Sequence, residues 1–205
     1  MVEKMFNLQP STGPLFAVVS RLAHQKGLDL TLGIVKTIVK AGGRLVVMGC
    51  GESRIEAEME RLARQHPHQV GVHIGFNEAD ARRIFAGSDF LLMPSRFEPC
   101  GLSQMYAQSF GSLPIAHRTG GLADTIEDGL SGFLFHDATV ESYRHAVQRA
   151  LNVYKHPSLL SAMRCRAMAS PPYWQESVQP YDNLYRSLLK KNTGDNVIFG
   201  TWSAK

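Results

Sequence analysis

The sequence is short of several things that would mark a specialised class. Among 205 residues there are three cysteines, Cys50, Cys100 and Cys165, widely spaced and without a C-x-x-C pair. An odd, scattered set suggests neither a disulfide framework nor a zinc ribbon. Long apolar runs are also lacking. The longest near the start is Leu15-Phe16-Ala17-Val18-Val19, far below the roughly 18 residues of a membrane-spanning helix. Met1-Val2-Glu3-Lys4 leads into a polar segment instead of an apolar signal region, so no membrane partner and a cytoplasmic location are expected. Charge of one sign is not abundant either: 22 basic against 18 acidic residues leave a net +4. The surplus is spread over Arg61, Arg64, Arg82, Arg83, Arg144, Arg149, Arg164 and Arg166, mostly on segments that read as helices, as solvated faces do. No nucleic-acid partner is expected, and an anionic small molecule would explain part of the surplus equally well. No Gly-x-Ser-x-Gly or Cys/His arrangement suggests covalent catalysis.

What the sequence has is a globular balance, 44% hydrophobic and 20% charged, which excludes a disordered tail, a coiled coil or a fibre. Short β-rich apolar runs, Leu15–Ser20, Arg44–Cys50, Val70–Gly75, Phe90–Ser95, Leu113–His117 and Gly132–His136, alternate with helical patterns at Gly27–Lys40, Glu52–Gln65, Glu78–Ala86 and Leu102–Phe110. In the first of these helices Leu28, Leu32, Val35 and Val39 recur at helical spacing. The alternation predicts an α/β fold, a doubly wound, Rossmann-like parallel sheet of about six strands with helices on both faces. Three further helical patterns, Val140–Tyr154, Ser158–Met168 and Tyr173–Leu189, are broken by Pro157 and Pro171-Pro172 and form a helical C-terminal extension. The expected organisation is a lead-in over 1–13, one domain over 14–190 and a loose tail over 191–205.

In such folds ligands bind beyond the carboxyl ends of the strands. The first of those loops, Ser20-Arg21-Leu22-Ala23-His24-Gln25-Lys26-Gly27, carries two cations five positions apart. Arg21 and Lys26 could hold a diphosphate together, Arg through bidentate contacts and Lys as a compact charge, or could be two solvated cations. Gly49-Cys50-Gly51-Glu52 lacks the full dinucleotide fingerprint and lies on the second strand, so its glycines read as a tight turn. Pro94-Ser95-Arg96-Phe97-Glu98-Pro99-Cys100-Gly101-Leu102 places Glu98 between a strand end and a helix start, flanked by Pro and Gly. It is either a functional carboxylate or a structural cap. Arg118-Thr119-Gly120-Gly121-Leu122 is a second Gly-rich turn, whose amides could approach a sugar or phosphate. His66, His68 and His73 could be drawn as a metal cluster, but the first two lie in a polar loop with no carboxylate ligand at helical spacing; they read as surface histidines, and no metal site is expected.

Taken together, Val19-Ser20-Arg21-Leu22…Gln25-Lys26-Gly27-Leu28-Asp29, Pro94-Ser95-Arg96-Phe97-Glu98-Pro99-Cys100-Gly101-Leu102 and Arg118-Thr119-Gly120-Gly121-Leu122-Ala123-Asp124-Thr125 resemble the C-terminal half of bacterial glycogen synthase and plant starch synthase. The resemblance runs from about Pro14 to Leu189. It implies a retaining glucosyltransferase of the GT-B type that moves glucose from ADP-glucose to the non-reducing end of an α-1,4-glucan, with no cofactor and no metal. It further implies a second Rossmann-like domain that holds most of the glucan, the reaction taking place in the cleft between the two.

Under that resemblance, Arg21 and Lys26 match cations on the donor diphosphate, and Glu98 matches a carboxylate on the donor glucose, with no covalent role assigned. Cys100, Gly101, Leu102 and Ser103 would meet the sugar and phosphates, the last three through backbone amides. Thr119 and Gly120 would lie on the adjoining loop. Many relatives carry Tyr against the adenine where this chain has Phe76, which keeps stacking and loses a phenolic hydrogen bond. Broader GT-B families place a second Glu where this chain has Tyr106. The family's N-terminal domain has no counterpart before Pro14, so the chain alone is expected to bind ADP or ADP-glucose weakly and to transfer little glucose. The competing expectation is a non-catalytic, truncated module that binds ADP or ADP-glucose.

Overall fold

The structure, a computed structural model, describes residues 1–169 and 174–192. The chain divides into two units, Met1–Pro171 and Pro172–Lys205. From residue 193 on, the expected tail lies outside the described residues.

Six strands form in the first unit: β1 (Leu15–Val19), β2 (Arg44–Gly49), β3 (Val70–Ile74), β4 (Phe90–Met93), β5 (Leu113–His117) and β6 (Phe133–Phe135). All pair in parallel, in the order β3-β2-β1-β4-β5-β6. The order reverses between β1 and β4, the switch point at which the loops leaving adjacent strands diverge and open a crevice. Except at β5, whose bounds agree, the expected strands ran one or two residues past these ends. Ser20, Cys50, Gly75 and Ser95 have left the ladder to build the loops at its carboxyl edge.

Because side chains alternate across a strand, each apolar run supplies two cores at once. Phe16, Val18, Leu45, Val47, Phe90, Leu92, Ile115, Phe133 and Phe135 face one side. Leu15, Ala17, Val19, Val46, Met48, Leu91, Met93, Ala116 and Leu134 face the other. Helices cover both. The first face meets α2 (Leu28–Lys40), α3 (Ser53–Gln65), α7 (Val140–Tyr154) and α8 (Pro157–Ala169). Phe90 lies at its centre, 5.1 Å from the Phe16 ring and 6.2 Å from Phe133. Tyr143 of α7 stacks on Phe135 at 4.7 Å, and burial pushes its phenol far above the usual range. The second face meets α4 (Glu78–Gly87) and α5 (Ser103–Ser109).

Three elements were not anticipated. The short α1 (Val2–Met5) belongs to the lead-in, where Val2, Phe6 and Leu8 are buried in the second core. Arg44 at the foot of β2, with its side chain 6% exposed, fastens this segment. It pairs with Glu3 and donates to the carbonyls of Gln9 at 3.1 Å and Gly13 at 3.2 Å. A 3-10 turn spans His24–Lys26, and α6 spans Gly120–Thr125.

The second unit contributes α9 (Trp174–Asn192), with Pro180 inside it. Val178, Tyr181, Leu184, Tyr185, Leu188 and Leu189 are exposed along it, at the spacing of an amphipathic stripe. No helix among the described residues is long and apolar enough to cross a membrane.

The loops leaving β1 and β2 pass so closely that a Cβ at Gly49 would stand 1.9 Å from the Ser20 carbonyl oxygen. At Gly42 φ is +76° but nothing lies within 4 Å. Gly49→Ala should therefore cost about 2 kcal/mol or more through forced backbone displacement, and Gly42→Ala only about 1 kcal/mol of conformational strain. Urea denaturation of both variants checks the ranking, and equal losses would refute it.

Candidate functional site at the sheet switch point

Three loops at the carboxyl edge of β1, β4 and β5 converge. The first, Ser20–Gly27, turns through the 3-10 segment and ends at Gly27, whose φ of +68° is left-handed. A Cβ there would lie 2.0 Å from the Pro94 carbonyl oxygen. Only glycine lets this loop lie directly on the one that leaves β4.

That contact brings Lys26 to Glu98. The ammonium stands 2.5 Å from Oε2, and the Ser95 hydroxyl donates to the same oxygen at 3.0 Å. Both side chains are largely withdrawn from water, 17% exposed for Lys26 and 9% for Glu98. Desolvation strengthens such a pair and makes loss of either partner costly. The two residues that the resemblance assigned to different parts of one donor thus touch each other. Arg21 is exposed and reaches the cluster through Gln25, donating to its Oε1 at 3.0 Å. Gln25 in turn donates to the Phe97 carbonyl at 2.8 Å.

The third loop rests on the second. The Gly121 amide donates to the Glu98 carbonyl at 3.1 Å. A Cβ at Gly120 would stand 2.2 Å from that same oxygen, and one at Gly121 2.3 Å from the Cys100 carbonyl. Thr119 sits immediately before α6. From below, His117 places Nδ1 2.8 Å from the Ser95 carbonyl and Nε2 3.1 Å from that of His136.

Several residues that hold the site were not singled out from the sequence. Gln104, fully buried in α5, donates to the carbonyls of Cys100 at 3.1 Å and Gly101 at 2.7 Å, and to the Thr125 hydroxyl at 3.1 Å. It fixes the turn that carries Cys100, Gly101, Leu102 and Ser103. Glu52 accepts the His24 amide at 2.9 Å. Arg96 grips Asp29 with both terminal nitrogens at 2.7 Å and donates to the His24 carbonyl at 2.9 Å. The hydrogen bonds from Arg96 hold the Asp29 carboxyl below the usual carboxylate range, against a smaller opposing effect of burial.

Of the sequence-predicted residues, Arg21, Lys26, Glu98, Cys100, Gly101, Leu102 and Thr119 lie on these three loops, and Ser103 and Gly120 are the first residues of α5 and α6, which two of the loops lead into. Phe76 stands apart. It follows Gly75 in the loop after β3, 65% exposed, and β3 is two places from β1 in the sheet. No three His, Cys, Asp or Glu side chains gather into a metal-binding group among the described residues.

The sequence matches the family described as "Glycosyl transferases group 1" over residues 3–163. It is 65% identical over 191 residues to a glycogen synthase of Pseudomonas syringae pv. syringae, covering 93% of this chain and 39% of that protein. With a glycogen synthase of Pseudomonas aeruginosa the identity is 67% over 189 residues, covering 92% and 37%. The chain thus spans about two fifths of the length of the curated relatives it matches. Among solved structures it is similar to the catalytic domain of Arabidopsis thaliana starch synthase IV, bound to ADP and acarbose. The TM-score is 0.83 at 31% identity, over 92% of this chain and 41% of that one. A sucrose-phosphate synthase of Thermosynechococcus elongatus shares the fold at TM-score 0.72 and 21% identity, over 93% and 49%.

A depressed carboxyl contributes stability that is fully present above its unfolded value near pH 4 and is lost as pH falls through the lower folded value. Asp29 is 45% exposed, so after solvent screening its ion pair should contribute about 1 kcal/mol or less. The stability gap between the parent chain and Asp29→Asn should hold from pH 7 to about pH 4 and close below it. Urea midpoints across that range check this, and a gap that persists at pH 2 would contradict it.

Proposed function

Because the chain belongs to the group 1 glycosyl transferases, we propose that it is the nucleotide-sugar domain of a retaining glucosyltransferase of the glycogen and starch synthase type. The donor is ADP-glucose and the acceptor is the non-reducing end of an α-1,4-glucan. The observation that carries this reading is the buried Lys26–Glu98 pair at the β1/β4 switch point, where a doubly wound fold binds its ligand. The glycogen synthases at 65% and 67% identity support the reaction type, and the starch synthase bound to ADP supports the choice of nucleotide.

In the reaction the bond from glucose C1 to the phosphate oxygen breaks and its electron pair leaves with ADP. The acceptor hydroxyl oxygen forms the new bond to C1 with retention of configuration. The acceptor proton ends on the departing phosphate. Charge therefore grows on the diphosphate, and Arg21 and Lys26 stabilise it where it develops. Glu98, held by Ser95 and Lys26, orients the donor glucose and eases the positive charge at C1. The amides of Gly101, Leu102 and Ser103 and the loop at Thr119 and Gly120 complete the cradle for sugar and phosphates. In this reading Phe76, which follows the end of β3, a strand two spacings or about 10 Å from β1, stacks on the adenine while the cations hold the diphosphate. The acceptor glucan is bound mainly by that part of the relatives' length which this chain does not match.

Titration of the 205-residue chain with ADP in a calorimeter tests the assignment. Binding is expected in the millimolar to high micromolar range, weakened about tenfold or more by Lys26→Ala through loss of a charge-assisted contact. A folded sample that gives no heat at millimolar ADP would sink the donor-site reading. An unchanged affinity in the variant would remove Lys26 from the phosphate site. A glucan-elongation assay separates a transferase from a module that only binds nucleotide.

A further inference from the structure

Lys26 leaves the chain from a 3-10 turn of three residues, an element too short to fix a side chain by itself. Its own backbone supplies little more than Lys26 N–H to Ala23 at 2.9 Å and Gly27 N–H to His24 at 3.0 Å. Glu52 adds one restraint by accepting the His24 amide at 2.9 Å, and others come from the loop that leaves β4. Arg96 N–H donates to the Gln25 carbonyl at 2.9 Å, and the Gln25 amide returns a bond to the Phe97 carbonyl at 2.8 Å. The Arg96 guanidinium joins the His24 carbonyl at the start of the turn to Asp29 in the first turn of α2. One residue therefore holds the turn on both sides of Lys26, and two positions further along the same backbone is Glu98.

We propose that Arg96 and Asp29 form a positioning pair, which sets the separation of Lys26 from Glu98 and thereby aims the Lys26 ammonium at the donor diphosphate. The proposal rests on the donor-site reading for its second half. Its first half, the placement of Lys26, stands on the geometry of this chain alone. Neither residue need touch the ligand. A planar guanidinium serves here where an ammonium would not, because only the fork can meet two carboxylate oxygens and a carbonyl at fixed angles. Small displacements of a positioned group cost large factors in binding and rate, so the pair should be felt at the diphosphate and not at the base. That pattern separates positioning from mere fold stability.

The test uses the full chain with Arg96→Ala, Asp29→Asn and Arg96→Lys. Labelling of lysines by an amine-reactive ester, read by mass spectrometry, reports the first half. The Lys26 rate should rise several-fold in Arg96→Ala and Asp29→Asn, while the exposed Lys36 and Lys40 of α2 label at the parent rate. Calorimetry with ADP and with adenosine reports the second half. ADP affinity should fall about tenfold with adenosine affinity changed less than twofold, and Arg96→Lys should lie between. Should Arg96→Ala fail to fold, Asp29→Asn and Arg96→Lys carry both readouts. An unchanged Lys26 rate overturns the proposal, as does parallel weakening of ADP and adenosine. If the parent chain binds neither ligand, the donor-site reading fails, and the labelling result alone decides whether the pair places Lys26.

Discussion

At the point where strand order reverses, the loop after β1 lies directly on the loop after β4. Backbone meets backbone there, since Gly27 would clash with the Pro94 carbonyl if it carried any side chain. The rest of the site follows from that approach. It brings an ammonium and a carboxylate 72 residues apart in sequence into a contact of 2.5 Å. The same approach lets Arg96 reach across to His24 and Asp29. The third loop then closes against the second through Gly120 and Gly121. The sheet supplies rigidity for this meeting because both of its faces are packed, so the loop roots stay fixed while their tips are exposed.

The six strands were legible because a parallel strand buried on both faces reads as a continuous apolar run between turn residues. The long helices were legible through their 3.6-residue period, and α7 begins and ends where its pattern does. What stayed hidden lacks a local signal. In α6 the first two residues are glycines, poor helix formers, and their place is set by carbonyls of the 98–100 segment. In α1 one turn offers no period to detect, and its burial depends on Arg44, about 40 residues away.

The site divides the same way. Arg21, Lys26 and Glu98 could be put on loops at the strand ends because Gly and Pro punctuate those loops, while their roles came only from the family resemblance. The contacts of Asp29, Ser95, Gln104 and His117 could not be foreseen, because their partners are distant in sequence or are backbone carbonyls. Gln104 in particular looks like an ordinary polar residue of a short helix until its burial is known. Composition says nothing of which glutamine is inside.

The glycines of these loops carry one more consequence. Gly27, Gly49, Gly51, Gly120 and Gly121 each face a carbonyl carbon or oxygen closer than 3 Å to where a Cβ would be. In a saturation-mutagenesis map of the chain these positions would appear as intolerant as Lys26 or Glu98, although none of them carries a side chain. Intolerance to every substitution would mark where two loops touch, whereas intolerance to charge reversal with partial tolerance of isosteres would mark chemistry. Sorting a mutational profile by that contrast would separate the scaffold of the crevice from the groups that work in it.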